Sequence, residues 1–300
     1  MSVTLDSPEQ LPPAYRSTGG ISRRAYRVLR RERAAQVGAS IIVLLVFVAL
    51  TAPILAPYPA QGRGVADVPA RDLAPSWQHL FGTDHLGRDI LSRVIFGARP
   101  ALGVSLVVVL MAMLIGVPLG MIAGYRGGWL DETLMRITDL FLAFPPLLLA
   151  IVISALLGPS LYHAAIALVI SWWPWYARLS RTVTQSLRQA PFIDAARVFG
   201  VREPVILARH VLRNSTTPIL VQATVDLGTV ILAVGALAFL GLASQPPLAD
   251  WGLMVADGRE TIQTEWWIST FPGIAIFVTV LGFNLLGDVL RDVLDPRSGS

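Results

Sequence analysis

The chain has 300 residues, 54% of them hydrophobic and only 15% charged, with a formal net charge of +4. Ordinary globular chains carry roughly 25% charged residues, and the mean hydropathy here is +0.60, so composition points to a polytopic membrane protein. There is no cysteine, and all 24 basic residues are arginine. Disulfides, thiolate metal sites, a phosphate-loop lysine and a Schiff-base lysine are therefore excluded, and any nucleotide chemistry must come from another polypeptide.

Residues 1–36 form a polar N-terminal tail, its first 20 residues expected to be disordered, with Arg23, Arg24, Arg27, Arg30, Arg31 and Arg33 just before the first apolar run. That run, Val37 to Ala56, is about 20 residues, enough to cross roughly 30 Å of hydrocarbon and longer than the core of a signal peptide. It is read as a retained first transmembrane helix at 37–57. Residues 58–99 form an extramembrane segment, Pro/Gly/Ala-rich at first. After Gly87, Ile90, Leu91, Val94 and Ile95 fall on one side and Arg88, Asp89, Ser92, Arg93 and Arg99 elsewhere, which fits a short helix lying in the interface.

The second span, Pro100 to Gly124, carries Ala112, Gly116, Gly120 and Gly124 at four-residue spacing, a stripe that lets another helix approach closely. Pro118 is expected to kink it. A short polar loop leads to a third span, Leu140 to Leu157, and a turn leads to a fourth, Leu161 to Ala177. The fifth span is Ile219 to Leu242 and the sixth Ile268 to Leu290, separated by a polar hairpin, Ala243 to Glu265. Residues 100–291 thus form a core of five spans, and 292–300 a C-terminal tail. The expected fold is all-α, an integral membrane protein of six transmembrane helices. Eighteen arginines lie on the side of the termini and six on the other, so the positive-inside rule puts both termini in the cytoplasm. The basic charge follows topology, not nucleic acid.

Between spans four and five lies a block too polar for lipid, Ser186 to Pro218. Phe192, Ala195, Ala196 and Phe199 share one helical face, and Val205, Ala208, Val211 and Leu212 recur at helical spacing after Pro204. Gly200 between them permits a sharp turn. The block is either an amphipathic pair lying in the headgroups or a lever that docks into a soluble partner.

This chain resembles the inner-membrane permease subunits of binding-protein-dependent ABC importers, in particular the C-type subunit of dipeptide and oligopeptide systems. The family's cytoplasmic motif, Glu-Ala-Ala, three residues, Gly, then nine residues to a stretch ending His-x-Leu-Pro-Asn, is similar to Asp194-Ala195-Ala196, Gly200 and His210-Val211-Leu212-Arg213-Asn214. Asp194 replaces the motif's glutamate and Arg213 its proline. Gly82-Thr83-Asp84 with Leu86 to Arg93, Gly127 to Pro145, and Phe239 to Gly252 resemble further stretches of the same subfamily, so the likeness spans about residues 35–297. It implies the type I importer permease fold, with a cytoplasmic coupling helix between spans four and five. It implies a heterodimer with a second homologous permease, two cytoplasmic ATPases that bind ATP and Mg, and an extracytoplasmic solute-binding protein, in a bacterial cytoplasmic (inner) membrane. No cofactor is implied on this chain, and no catalytic residue. The coupling residues are Asp194, Ala195, Ala196, Gly200, Val201, Arg202, His210 and Asn214. Dipeptides or short oligopeptides are the implied solutes. Relatives that carry nickel chelates, glutathione or heme supply the alternatives.

Asp226 lies inside the fifth span, where a carboxylate is costly and marks a site by default. It either lines the solute path or pairs with the partner permease. Asn284, on the sixth span, is the second path candidate, and suits an interhelical hydrogen bond. Asp250, Asp257, Glu260 and Glu265 face outside, as a solvated loop or a docking surface. His79 and His85 are six apart, without the spacing of a helical metal pair, and are read as structural. A secondary transporter, an intramembrane hydrolase and a channel subunit are the competing classes; none explains the polar block.

Overall fold

A computed structural model describes residues 32–294. The arginines at 23–31 and the residues at 295–300 lie outside that range. Every regular element within it is helical apart from one isolated bridge, Thr83 to Asp89.

Among the described residues four helices are long and apolar enough to cross a membrane: Arg33–Leu55, Ile90–Arg126, Glu203–Phe239 and Trp267–Val293. A bent pair, Gly128–Leu142 with Pro146–Leu157, makes a fifth if counted as one span. In chain order the elements are α1 (Arg33–Leu55), α2 (Ile90–Arg126), α3 (Gly128–Leu142), α4 (Pro146–Leu157), α5 (Leu161–Arg188) and α6 (Pro191–Val198). There follow α7 (Leu212–Phe239), α8 (Trp251–Asp257) and α9 (Trp267–Leu294).

Helix α1 is apolar all round and buries only Ala35, Gly38, Ala49 and Ala52. Its small residues face α9: a Cβ on Gly38 would stand 2.8 Å from Leu285, and one on Gly282 2.6 Å from Ile41. Val43, Leu50 and Ile54 remain exposed, as expected of a helix that meets lipid on its outer side.

The interfacial helix expected near residues 90–99 is not separate. Residues 90–126 form one 37-residue helix that runs through Pro100 and Pro118, about 55 Å long at 1.5 Å per residue. Tertiary packing explains the continuity. Asp89 caps the helix by accepting from the Ser92 amide at 2.7 Å. Ile90, Arg93, Phe96 and Gly97 are buried, and the Trp251 indole donates to the Val94 carbonyl at 2.8 Å. Its first turns therefore lie under a folded cap rather than in headgroups.

The small-residue stripe does what its spacing predicts. Helix α5 lies against it so closely that a Cβ on Gly116 would stand 2.3 Å from the Trp173 carbonyl oxygen. On Gly120 it would stand 2.1 Å from that of Ala177, and on Gly124 2.6 Å from that of Arg181. The α2–α5 seam anchors the main core, where Val108, Val109, Leu168 and Tyr176 meet Ile193, Ile206 and Val211 of the polar block and Val230 and Leu237 of α7.

The third expected span, 140–157, is broken. Helices α3 and α4 meet at 81° around Ala143-Phe144-Pro145, because proline at 145 and 146 removes two amide donors and disfavours helix in the preceding residue. Helix α4 alone has 12 residues, about 18 Å, short of the membrane's hydrocarbon. Helix α5 continues eleven residues beyond the expected end at 177, through Arg178 and Arg181.

At the end of the bundle away from the polar block, residues 56–89 fold over the helix ends. His79 is buried, bonded to Asp89 at 2.9 Å and stacked on Tyr58. The 243–265 hairpin is also less exposed than expected. Asp250 is buried as the cap of α8, accepting from the Gly252 and Leu253 amides and the Ser244 hydroxyl. Asp257 lies 3.9 Å from Arg88, and Glu265 3.4 Å from His85. Of the four acids only Glu260 extends into solvent. The reason is long-range: Arg88 faces Asp257, His85 faces Glu265, and Arg93 donates to the Pro247 and Leu248 carbonyls of the hairpin.

Candidate functional site: a helical hairpin at one end of the bundle

The block 186–218 is a helical hairpin, as its pattern predicts. Pro191 opens α6 at its first turn, Asp194 complements the helix N-terminus, and Arg197 lies in the last turn. Ile193 and Ala196, three apart, are buried, whereas Ala195 and Phe199 are exposed. The face shared by Phe192, Ala195, Ala196 and Phe199 is thus divided: Ala196 packs inward beside Ile193, and Ala195 and Phe199 face outward.

Gly200 ends α6 with φ +71°. Its amide bonds to the Arg197 carbonyl at 2.9 Å, and that of Val201 to the Ala196 carbonyl at 3.0 Å, the paired bonds of a Schellman cap. No atom lies within 4 Å of a Cβ built there. The glycine is required by its backbone angle, not by crowding.

After a turn at Glu203–Val205 the chain takes a π-helical stretch, Ile206–Val211, before α7 begins. This resets the phase of the second strut. Ile206 and Val211, five apart, are both buried, as i to i+5 winding requires, whereas Val205, Ala208 and Leu212 of the expected stripe are exposed. His210 lies with its ring 6.5 Å from that of Phe192, a packing role, and the Asn214 side chain donates to the His210 carbonyl at 2.6 Å.

Two contacts that sequence reasoning did not single out tie the hairpin to the end of α2. Arg126 Nε donates to Glu203 Oε1 at 2.6 Å. Arg197 donates to the Tyr125 hydroxyl at 3.1 Å, lies 5.0 Å above its ring and reaches back to Asp194 at 3.1 Å. A polar cleft lined by Gly124, Gln185, Arg188, Gln189, Asp194 and Arg197 opens where the hairpin meets α2 and α5. Nearby, Arg181 grips Asp131 with two bonds of 2.5 and 2.7 Å, and Arg178 pairs with Asp139. These partners are 39 to 77 residues apart, so no local pattern announces them.

What remains outward is the tip. Val198 and Phe199 are each 85% exposed, beside exposed Arg202 and partly exposed Val201. The apex of the hairpin is thus an exposed apolar pair beside charged residues.

Asp226 is buried within the bundle. Gln222, one turn earlier, donates to its Oδ1 at 3.0 Å. The Tyr176 phenol on α5 faces the carboxyl, yet neither its hydroxyl nor Asp226 Oδ2 completes a hydrogen bond of normal geometry. Asn284, by contrast, is exposed on α9, so the two path candidates do not share one enclosed site.

Comparison with known proteins gives the hairpin its context. Residues 116–300 match the family model of the binding-protein-dependent transport system inner membrane component, and residues 21–75 match the N-terminal TM domain of oligopeptide transport permease C. The chain is 45% identical to the dipeptide transport system permease protein DppC of Alkalihalophilus pseudofirmus over 93% of this chain and 90% of that one. It is 43% identical to the glutathione transport system permease protein GsiD of Escherichia coli O6:K15:H31 over 91% of this chain and 89% of that one. A solved structure of the MetNI methionine ABC transporter in an inward-facing conformation aligns with a TM-score of 0.57 at 19% identity, covering 69% of this chain and 98% of its own, a likeness of fold. Members of this family are permeases rather than enzymes and carry no cofactor on the chain. This multi-pass membrane protein belongs to the family of binding-protein-dependent transport system inner membrane components.

Proposed function

We propose that this chain is one permease subunit of an ATP-driven importer of dipeptides or short oligopeptides, and that the hairpin 186–218 is its lever onto a partner ATPase. The observation that carries the reading is the tip: Val198 and Phe199 stand fully outward on a hairpin whose other face is sealed into the bundle core. Asp194, Ala195, Gly200, Val201 and Arg202 surround that tip as the docking surface, while Ala196, His210 and Asn214 hold its shape. Arg126–Glu203 and Arg197–Tyr125 then pass its displacement to α2, and the glycine seam passes it to α5. This is rigid-body alternating access driven from outside the chain.

The finer architecture belongs to the same proposal. Six spans are completed by the bent α3–α4 pair and by α5, with both termini and the hairpin in the cytoplasm of a bacterial cell. Residues 58–89 and 243–265 form an outer cap where a solute-binding protein docks, and a second, homologous permease completes the path. Asp226 is the path candidate inside the bundle. Asn284 is the candidate on the face that the second permease would cover. The names of the relatives support small peptides, since glutathione is itself a tripeptide.

The experiment is uptake of a labelled dipeptide, with co-purification of the ATPase as a second readout. Phe199→Asp changes an exposed side chain, so folding is expected to shift by no more than about 0.5 kcal/mol while ATPase capture and uptake are lost. Gly200→Val is expected to add about 1–2 kcal/mol of backbone strain, and Gly200→Asn less, because asparagine tolerates positive φ. Full ATPase capture and uptake in Phe199→Asp would sink the lever reading. Uptake of glutathione but not dipeptide would leave the lever intact and move the solute to the second relative's class.

A further inference from the structure

We propose that Asp72, His85 and Glu265 form a binding site for a divalent transition ion of the zinc class, which staples the 56–89 cap to the turn that opens α9. One candidate ligand atom from each of the three lies within 4.8 Å of both others. His85 Nδ1 stands 2.8 Å from Asp72 Oδ1 and 3.4 Å from Glu265 Oε2. Ligands at about 2.1 Å from a tetrahedral ion are about 3.4 Å apart, so the Glu265 distance already fits and the Asp72 distance needs to open by only part of an ångström.

A further observation supports a bound cation. Glu265 Oε2 is shielded from solvent and completes no hydrogen bond, a costly state for a carboxylate oxygen. His85 Nδ1 faces this oxygen and Asp72 Oδ1 together, and a proton or a metal ion at that nitrogen reconciles the three. Imidazole with two carboxylates suits zinc-class ions better than Mg2+ or Ca2+, and leaves a fourth position for water. Asp72 is the one non-glycine residue with positive φ (58°) among those described. Asp72 and Glu265 lie 13 and 180 positions from His85, which is why histidine spacing gave no hint of the cluster.

The proton is the competitor. Burial lowers the pKa of His85, but the hydrogen bond and charge of Asp72 and the charge of Glu265 outweigh it and raise the pKa above its ordinary value. Asp257, whose own carboxyl is pushed up by burial and held by Arg88 and Arg93, completes the titratable surroundings. In metal-free protein the cluster's stabilisation is fully present below about pH 6.5 and is lost as pH rises through the raised value. Zinc replaces the proton at Nδ1, so it restores that stability on the alkaline side.

The test uses the full chain in lipid nanodiscs, purified with a tag free of histidine and stripped with EDTA. Zn2+ binding and thermal unfolding are measured on both sides of pH 6.5. The expected result is one Zn2+ per chain above that pH, weaker binding below it, and a rise in the unfolding midpoint above it. Asp72→Asn, His85→Gln and Glu265→Gln are each expected to weaken binding by at least the roughly 10–100-fold seen on loss of an outer-shell partner. His163→Gln, on a remote helix start, is expected to bind as wild type. Asp72→Asn preserves the tolerated backbone angle and Glu265→Gln the volume, so both are expected to fold. No Zn2+ effect in wild type, or an equal effect in the three variants, overturns the proposal and leaves a proton-held cluster.

Discussion

The glycine seam between α2 and α5 gives a graded prediction. Replacing Gly120 by alanine puts a Cβ 2.1 Å from the Ala177 carbonyl oxygen and 2.9 Å from the Arg181 amide. Both neighbours are backbone, so no rotamer relieves the overlap and the helices must part by about an ångström. Overpacking of this kind costs about 1–3 kcal/mol, and the upper end applies where backbone meets backbone. Alanine recovers about 1 kcal/mol of helix propensity over glycine, leaving a net loss of about 2 kcal/mol. Gly116 and Gly124 meet carbonyl oxygens at 2.3 and 2.6 Å, whereas Gly103, on the same helix, has nothing within 4 Å. The expected order of destabilisation is Gly120→Ala, then Gly116→Ala, then Gly124→Ala, with Gly103→Ala neutral or more stable than wild type. Denaturation of the four variants in one detergent, followed by tryptophan fluorescence, checks it. If Gly103→Ala and Gly120→Ala unfold together, the seam does not hold these helices and the close approach is wrong.

Three further outcomes follow from other contacts. Asp131→Asn removes a two-bond grip on Arg181 and is expected to cost about 2 kcal/mol, the range for hydrogen bonds to charged groups; chemical denaturation reads it. Asp226→Asn keeps the shape and a partner for Gln222, so stability is expected to hold while uptake of a peptide with a free amine falls at least about tenfold, the scale of one lost charge-assisted bond; unchanged uptake removes Asp226 from the solute path. Tyr125→Phe deletes the hydroxyl that Arg197 meets but keeps the ring beneath it. The expected loss is about 1 kcal/mol or less, whereas Tyr125→Ala also removes the ring on which Arg197 stacks and is expected to weaken the coupling of ATP hydrolysis to uptake.

Sequence alone carried most of the membrane plan, because the signals are local. Long apolar runs announce spans wherever the hydrocarbon must be crossed. Four-residue spacing of Ala112, Gly116, Gly120 and Gly124 announces a helix contact, since i and i+4 share a face whatever lies opposite. Gly200 between two helical patterns announces a sharp turn, and the missing lysine excludes a phosphate-loop site. The tertiary structure decided what depends on partners distant in the chain. Arg93 and Trp251 make residues 90–126 one helix instead of an interfacial piece and a span. The π-helical stretch at 206–211 moves the buried face to Ile206 and Val211, a phase shift that a 3.6-residue pattern does not contain. Phe199 shares a helical face with Ala196 by its spacing, yet Ala196 is buried beside Ile193 while Phe199 points outward, a division that spacing alone does not make. Asp72, His85 and Glu265 meet only because the cap folds over the start of α9. Apolar periodicity is written residue by residue, but charge pairing and helix phase are settled by whichever distant group arrives.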